Sequence, residues 1–326
     1  METRHLLIFL IFILNENDVS QSRESKKCKL HNVYGLKALD CHDLFLNEFP
    51  KGLTSNVQVM DLSTNRIRKI SKAQLEKYPY IMHLYLYDNF IQKLDSDTFD
   101  PLHYLETLDL SVNGLLTVPS GIFQLPSLKI LYLSKNMNIN IAESLRDIEP
   151  ISYSSLTKVD ISYITEEGTP AEFPNFIQHS MIASLNITGN YFNHISTTHF
   201  AGLCNLQILT NSDVTCNFLS PCDCWNINNW LAERKVNFTA FRCPNKETEC
   251  SSQFISDEDI SVYAKCLEKT QRIKRSTFFK KLGIWIGVAL AFLLILAAFF
   301  IYRCWIKRRH KKTEHEMKHV QYRTVR

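Results

Sequence analysis

Glycine is scarce in this chain, nine in 326 residues, and the scarcity excludes a good deal. No phosphate-cradling glycine loop is present, nor a GxSxG nucleophile elbow, an HExxH metal helix or a CxxC pair. His315 and His319 stand four apart, as on a metal-binding helix face. Two ligands in a basic segment make a poor site, and they read as solvated. No catalytic arrangement emerges, no cofactor or metal is implied, and the chain reads as a non-enzyme. Positive charge is missing where nucleic acid would need it. The net charge is +4, yet residues 23–268 hold 21 Lys/Arg against 28 Asp/Glu, a difference of −7. An acidic folded part excludes nucleic acid as a partner.

Long apolar runs number two. Leu6 to Leu14 follows a basic start and precedes Ser20-Gln-Ser22, the layout of a signal peptide over 1–22. Leu282 to Tyr302 is uncharged over 21 residues, enough to cross a bilayer as a helix. Basic residues flank it on both sides, so the signal peptide decides the orientation: single-pass type I at the plasma membrane, with residues 23–281 outside. Gly283, Gly287 and Ala291 share one helix face and suit homodimerisation or pairing with another membrane protein. The stretch 269–281 reads as a juxtamembrane linker. Its Arg272, Lys274 and Arg275 form a charge cluster, with furin-type cleavage after Arg275 as the alternative. The tail, 303–326, carries nine Lys/Arg against two Asp/Glu and would lie on anionic lipid. It is too charged and short to bury a core. Cys304 sits where palmitoylation occurs, and Tyr322 with Val325 fits a sorting signal or a phosphotyrosine motif.

Between these runs the chain repeats. VQVMDLSTNRIRKI from Val57, IMHLYLYDNFIQKL from Ile81 and LETLDLSVNGLLTV from Leu105 each fit LxxLxLxxNxLxxL, 24 residues apart. Copies from Leu128 and Ile182 fit nearly as well, and those from Leu156 and Leu206 are degenerate. Seven repeats at this period predict an α/β leucine-rich-repeat solenoid over 57–215, with short parallel strands on its concave face. The ninth position reads Asn65, Asn89, Asn113, Asn136, Ile164, Asn190 and Val214. An asparagine there turns its amide inward to backbone groups left unpaired at the bend. Ile164 cannot do so, which predicts an irregular coil near residues 150–175. Phe99, Phe123 and Phe200 recur on the opposite side as an aromatic spine.

A solenoid needs caps. Residues 23–56 contain Cys28 and Cys41, which can close a hairpin over the first coil. Downstream, within 216–268, lie Cys222, Cys224, Cys243 and Cys266, with Trp225, Trp230 and Leu231 to bury. CDCWNINNWLAERKVNFTAFRCPNKE resembles the C-terminal cysteine cap of extracellular leucine-rich-repeat proteins such as Toll-like receptors, though their intracellular signalling domain has no counterpart here. That resemblance implies Cys222–Cys243 and Cys224–Cys266. It leaves Cys204, Cys216 and Cys250 over: either Cys216, at an inward position, is a buried free thiol, or two of the three pair and the third is free or bridges to another chain.

The outward concave positions follow from the register. Asp61, Tyr85, Asp109, Tyr132 and Asp160 occupy the fifth, with His83 at the third and Tyr87 at the seventh. Exposed tyrosines among carboxylates resemble protein-binding anchors. Asn186-Ile-Thr and Asn237-Phe-Thr are glycosylation sequons, and a glycan on Asn186 would push contact toward the N-terminal repeats. The chain reads as a cell-surface receptor, co-receptor or adhesion protein that binds a protein ligand and acts through an associated chain. Its layout also resembles the small leucine-rich-repeat gamma subunits of potassium channels, which implies an auxiliary subunit. A shed soluble binder is the third reading.

Overall fold

A computed structural model describes residues 27–146, 155–220, 222–244, 250 and 255–323; the expected signal peptide lies outside them. The chain divides into two units, Met1–Leu267 and Glu268–Arg326.

In the first unit, each repeat places a strand on its third to fifth positions. These are β3 (Val59–Asp61), β4 (His83–Tyr85), β5 (Thr107–Asp109), β6 (Ile130–Tyr132), β7 (Lys158–Asp160), β8 (Ser184–Asn186) and β10 (Ile208–Thr210). Neighbours pair in parallel and in register, so the columns read from the repeat are physical columns of the sheet. The inward residues of the strands, from Met60 through Leu84, Leu108, Leu131, Val159 and Leu185 to Leu209, are buried. Each such side chain contributes about 1.5–3 kcal/mol by leaving water.

After each strand the backbone turns through a left-handed residue at the eighth position. Asp43, Thr64, Asp88, Val112, Lys135, Tyr163, Gly189 and Asp213 all have φ between 50° and 67°. Only Gly189 adopts this freely, and the others cost roughly 1–2 kcal/mol each. The asparagine that follows offsets the strain. Asn89 accepts the N–H of Ile67 at 3.0 Å and donates to the carbonyls of Leu62 and Leu86 at 3.0 and 3.1 Å. Asn113, Asn136 and Asn190 repeat the pattern. At Ile164 the ladder changes hands: its N–H goes to Asn190 at 2.8 Å and its carbonyl accepts from Asn138 at 2.7 Å.

On the opposite side Phe99, Phe123 and Phe200 are buried. The long repeat beginning at Leu156 adds three buried rings that the spine expectation lacked. Phe173 packs on Phe192, in β9 (Tyr191–Phe192), and on Phe200 at 5.0 and 5.6 Å, Phe176 is buried, and His179 meets Phe123 at 5.7 Å.

The N-terminal cap is a hairpin of β1 (Lys29–Val33) and β2 (Leu36–Asp40), joined by Cys28–Cys41. β2 also pairs in parallel with β3, so it serves as a further coil rather than only a lid.

The C-terminal cap corrects the sequence reading. Its bonds are Cys224–Cys243, Cys222–Cys250 and Cys204–Cys266, in place of Cys222–Cys243 and Cys224–Cys266. Cys224 lies on the buried face of the helix Asp223–Glu233. Asn228, one turn on, grips the backbone of Phe241 in both directions at 2.8 and 3.0 Å, which delivers Cys243 to Cys224. Cys266 lies on the helix that starts at Asp257 and bonds Cys204, a residue of the last full repeat, leaving Cys250 for Cys222. Cys216 and Cys304 are free thiols. Asn211 stands where the other repeats have an inward Leu or Ile and clamps Thr239 through two bonds of 2.7 and 2.9 Å. This draws β12 (Asn237–Phe238) onto the sheet as its last strand.

In the second unit the expected linker, 269–281, is helical, within the helix Asp257–Arg323. No glycine or proline interrupts residues 257–282, and Arg272 pairs with Glu268 one turn away at 2.6 Å. Leu282–Tyr302 lies within it, and this is a helix long and apolar enough to cross a membrane. Gly283, Gly287 and Ala291 are exposed on it, as are Arg272, Lys274, Arg275 and Cys304. Val325 lies outside the described residues, and Tyr322 falls in the last turn of the helix.

Candidate concave binding face

The fifth position of the repeat is outward because the fourth and sixth are buried, and parallel pairing lines these residues up across the sheet. The column runs Asp40, Asp61, Tyr85, Asp109, Tyr132, Asp160, Asn186 and Thr210. Adjacent strands lie about 4.8 Å apart, so from Asp61 to Asp160 carboxylates and phenol rings alternate strand by strand. Asp40 was missed by the sequence reading, which gave residues 23–56 to the cap. The signal was there: LKALDC, from Leu36, fits LxxLxL with cysteine at the sixth position.

Each carboxylate spends one oxygen locally. Asp40, Asp61, Asp109 and Asp160 accept the N–H two residues on, from His42, Ser63, Ser111 and Ser162, at 2.9–3.0 Å. Asn186 does the same for Thr188 at 3.1 Å and donates to Asp160 at 3.0 Å. The column is therefore a braced array of half-buried acids. Burial raises the Asp109 carboxyl above its ordinary value, against the bonds from Ser111, and Asp160 and Asp61 add to the rise. Burial likewise raises the Tyr85 hydroxyl, with Tyr132, Asp61 and Asp109 contributing.

The flanking positions are sparse in charge. Lys158 sets its Nζ 3.3 Å from the Tyr132 hydroxyl and 5.1 Å from its ring centre. His83 is half-buried, with Nδ1 unpartnered. Tyr87, at the seventh position, is exposed while the serines of its column at Ser63, Ser111 and Ser162 are buried. The structure thus brings Asp61, His83, Tyr85, Tyr87, Asp109, Tyr132 and Asp160 onto one face. Asn186 is half-buried in the same column, and Asn237 is exposed at the start of β12. Among the described residues no group of three or more His, Cys, Asp or Glu could hold a metal.

Residues 55–115 match the model of the family described as leucine rich repeat. Among curated proteins, mouse podocan is 28% identical over 187 residues, covering 50% of this chain and 30% of podocan. Mouse transforming growth factor beta activator LRRC32 is 32% identical over 168 residues, 48% of this chain and 25% of that protein. Chicken Tsukushi is 33% identical over 167 residues, 49% and 43%. The chain thus spans between a quarter and under half of these relatives' lengths. Among solved structures, a leucine-rich-repeat protein of Leptospira interrogans matches at a TM-score of 0.46 and 21% identity, over 57% of this chain and 43% of that one. With matched repeats, in-register parallel strands and an asparagine ladder, this chain carries a disulfide-capped leucine-rich-repeat solenoid.

Proposed function

We propose that the chain is a single-pass type I protein of the plasma membrane that binds a protein ligand on its concave face, without catalysis. The observation that carries this reading is the alternation of Asp61, Tyr85, Asp109, Tyr132 and Asp160 along one braced column. Tyrosines supply large contact area at low entropic cost, and such anchors carry most of an interface's energy. The carboxylates select partners with basic groups and steer their approach. Glycans on Asn186 and Asn237 would cover the C-terminal end of the sheet and leave Asp40 to Tyr132 open. One relative is by name an activator of transforming growth factor beta, so a secreted growth factor is the first ligand class to offer. Leu282–Tyr302 is the membrane span, and the report of binding passes through an associated chain.

Proximity labelling on cells displaying the full chain identifies the bound surface or secreted proteins. Tyr85→Ala with Tyr132→Ala should then weaken binding of the identified ligand at least tenfold, a loss of about 1.4 kcal/mol or more. Unchanged affinity would sink the reading. The small-residue face of Gly283, Gly287 and Ala291 favours one second reading, an auxiliary subunit of another membrane protein. A chimera keeping only residues 276–326 should stay active if that is so and lose activity if the concave face is the working part. Shedding after Arg275 fits less well, because a protease needs an extended substrate and residues 272–275 are helical.

A further inference from the structure

The repeat exposes a second patterned face. After the asparagine turn the chain runs down one flank of the coil, where Arg66, Arg68 and Lys69 are exposed and Ile67 and Ile70 are buried. Backbone bonds keep neighbouring coils in register there. Arg66 donates to Leu46 at 2.7 Å, Phe90 to Ile67 at 3.0 Å and Gly114 to Ile91 at 3.0 Å. The tenth-position column therefore reads Phe45, Arg66, Phe90, Gly114 and Met137, and Lys93 follows Lys69 at the thirteenth.

The Arg66 guanidinium lies over the Phe45 ring at 5.1 Å, and that of Arg68 over Phe90 at 5.6 Å. A ring takes the face of a guanidinium and leaves its N–H edges free for a planar anion. Among the described residues no carboxylate lies within ion-pair distance of Arg66, Arg68, Lys69 or Lys93. The acid at the border, Glu48, is paired with Lys51 at 3.6 Å. Four unpaired cations thus cluster on a domain whose net charge is −7, from 21 Lys/Arg against 28 Asp/Glu in residues 23–268. The next coils carry an apolar extension. Phe90, Leu116 and Met137 are 52%, 62% and 43% exposed on the coils around Gly114, beside which the Gln92 side chain lies.

We propose that this flank, distinct from the concave face, docks a protein segment that is acidic at one end and apolar at the other. Its carboxylates take the free edges of Arg66 and Arg68 with Lys69 and Lys93, and its apolar side chains cover Phe90, Leu116 and Met137. Charge complementarity selects an anionic partner, and the adjoining apolar patch selects protein over a sulfated polysaccharide, which offers nothing to Leu116 and Met137. Three coil steps of about 4.8 Å span roughly 15 Å, about five extended residues.

The probes are two fluorescein-labelled octapeptides, EEEELALL and its reverse, titrated by anisotropy against the full chain in nanodiscs. One should bind, and its glutamine counterpart should bind at least tenfold more weakly. Arg66→Glu with Arg68→Glu should weaken binding tenfold or more, and Leu116→Ser with Met137→Ser at least threefold. All four side chains are exposed, so the thermal midpoint should not move. Tyr85→Ala with Tyr132→Ala should leave peptide binding unchanged, which separates this proposal from the concave one. Binding of neither peptide overturns the proposal, as does indifference to either pair. A heparin interaction lost with the arginines but blind to Leu116 and Met137, without peptide binding, assigns the flank to polysaccharide instead.

Discussion

Asn89 shows how much one side chain carries. Its single amide serves the N–H of Ile67 and the carbonyls of Leu62, Leu86 and Tyr87, at 3.0–3.3 Å. Asn89→Leu keeps the volume and strands these buried groups, each worth about 1 kcal/mol net. A loss of about 3 kcal/mol in chemical denaturation is expected, against almost none for an exposed control such as Gln92→Ala. Asp109 makes a different prediction. Its carboxyl is raised above the ordinary 3.8, so it stabilises the fold below pH 3.8 and loses that contribution as pH rises through its folded value. At neutral pH its ionised form is a cost. Asp109→Asn keeps an acceptor for the Ser111 N–H, as Asn186 does for Thr188. The variant should match or exceed the parent in denaturation midpoint at pH 7, with its advantage vanishing below about pH 4. A parent more stable at pH 7 refutes this account.

Among elements, the C-terminal cap is the one whose wiring matters most. Cys204–Cys266 spans 62 residues and fastens the end of the repeat that begins at Ile182 to the helix that starts at Asp257. Thr197 reinforces the junction with a 2.6 Å bond to the buried Asp259. Removing this bridge with Cys204→Ser and Cys266→Ser should cost about 2–5 kcal/mol. Non-reducing peptide mapping should recover the three cap pairs described above and leave Cys216 unpaired. Burial raises the Cys216 thiol to about 11, so only on the order of one in a thousand is thiolate at pH 8. Iodoacetamide should therefore label it far more slowly in the native protein than in denaturant. Rapid native labelling would contradict its placement at the inward position of β11 (Thr215–Cys216).

At the scale of the molecule, the solenoid offers two separable faces: an acidic, tyrosine-laced sheet and a flank that passes from stacked arginines to an apolar patch. The repeat register in the sequence determined both, because a period of 24 residues with fixed inward positions leaves every other position outward. From it came the strand positions, the concave column from Asp61 to Asp160 and the asparagine ladder with its gap at Ile164; the apolar run Leu282–Tyr302 was legible separately, from its length and lack of charge. What the repeat pattern cannot carry is contact between segments outside the period. Cys204 was invisible as the partner of Cys266, and Cys250 as that of Cys222, because spacing alone does not say which cysteine a helix delivers. Asp40 lay hidden in a cap because β2 is a coil only by virtue of pairing with β3. The repeat from Leu206 reads as degenerate, and only the stacked structure shows that its Asn211 has Thr239 as a partner. Phe45 and Phe90 gained a role only when the arginines of the neighbouring coil lay on them. Local periodicity is written in the chain, whereas pairings between distant residues, such as Cys222 with Cys250 at 28 and Cys204 with Cys266 at 62, exist only once the coils are stacked.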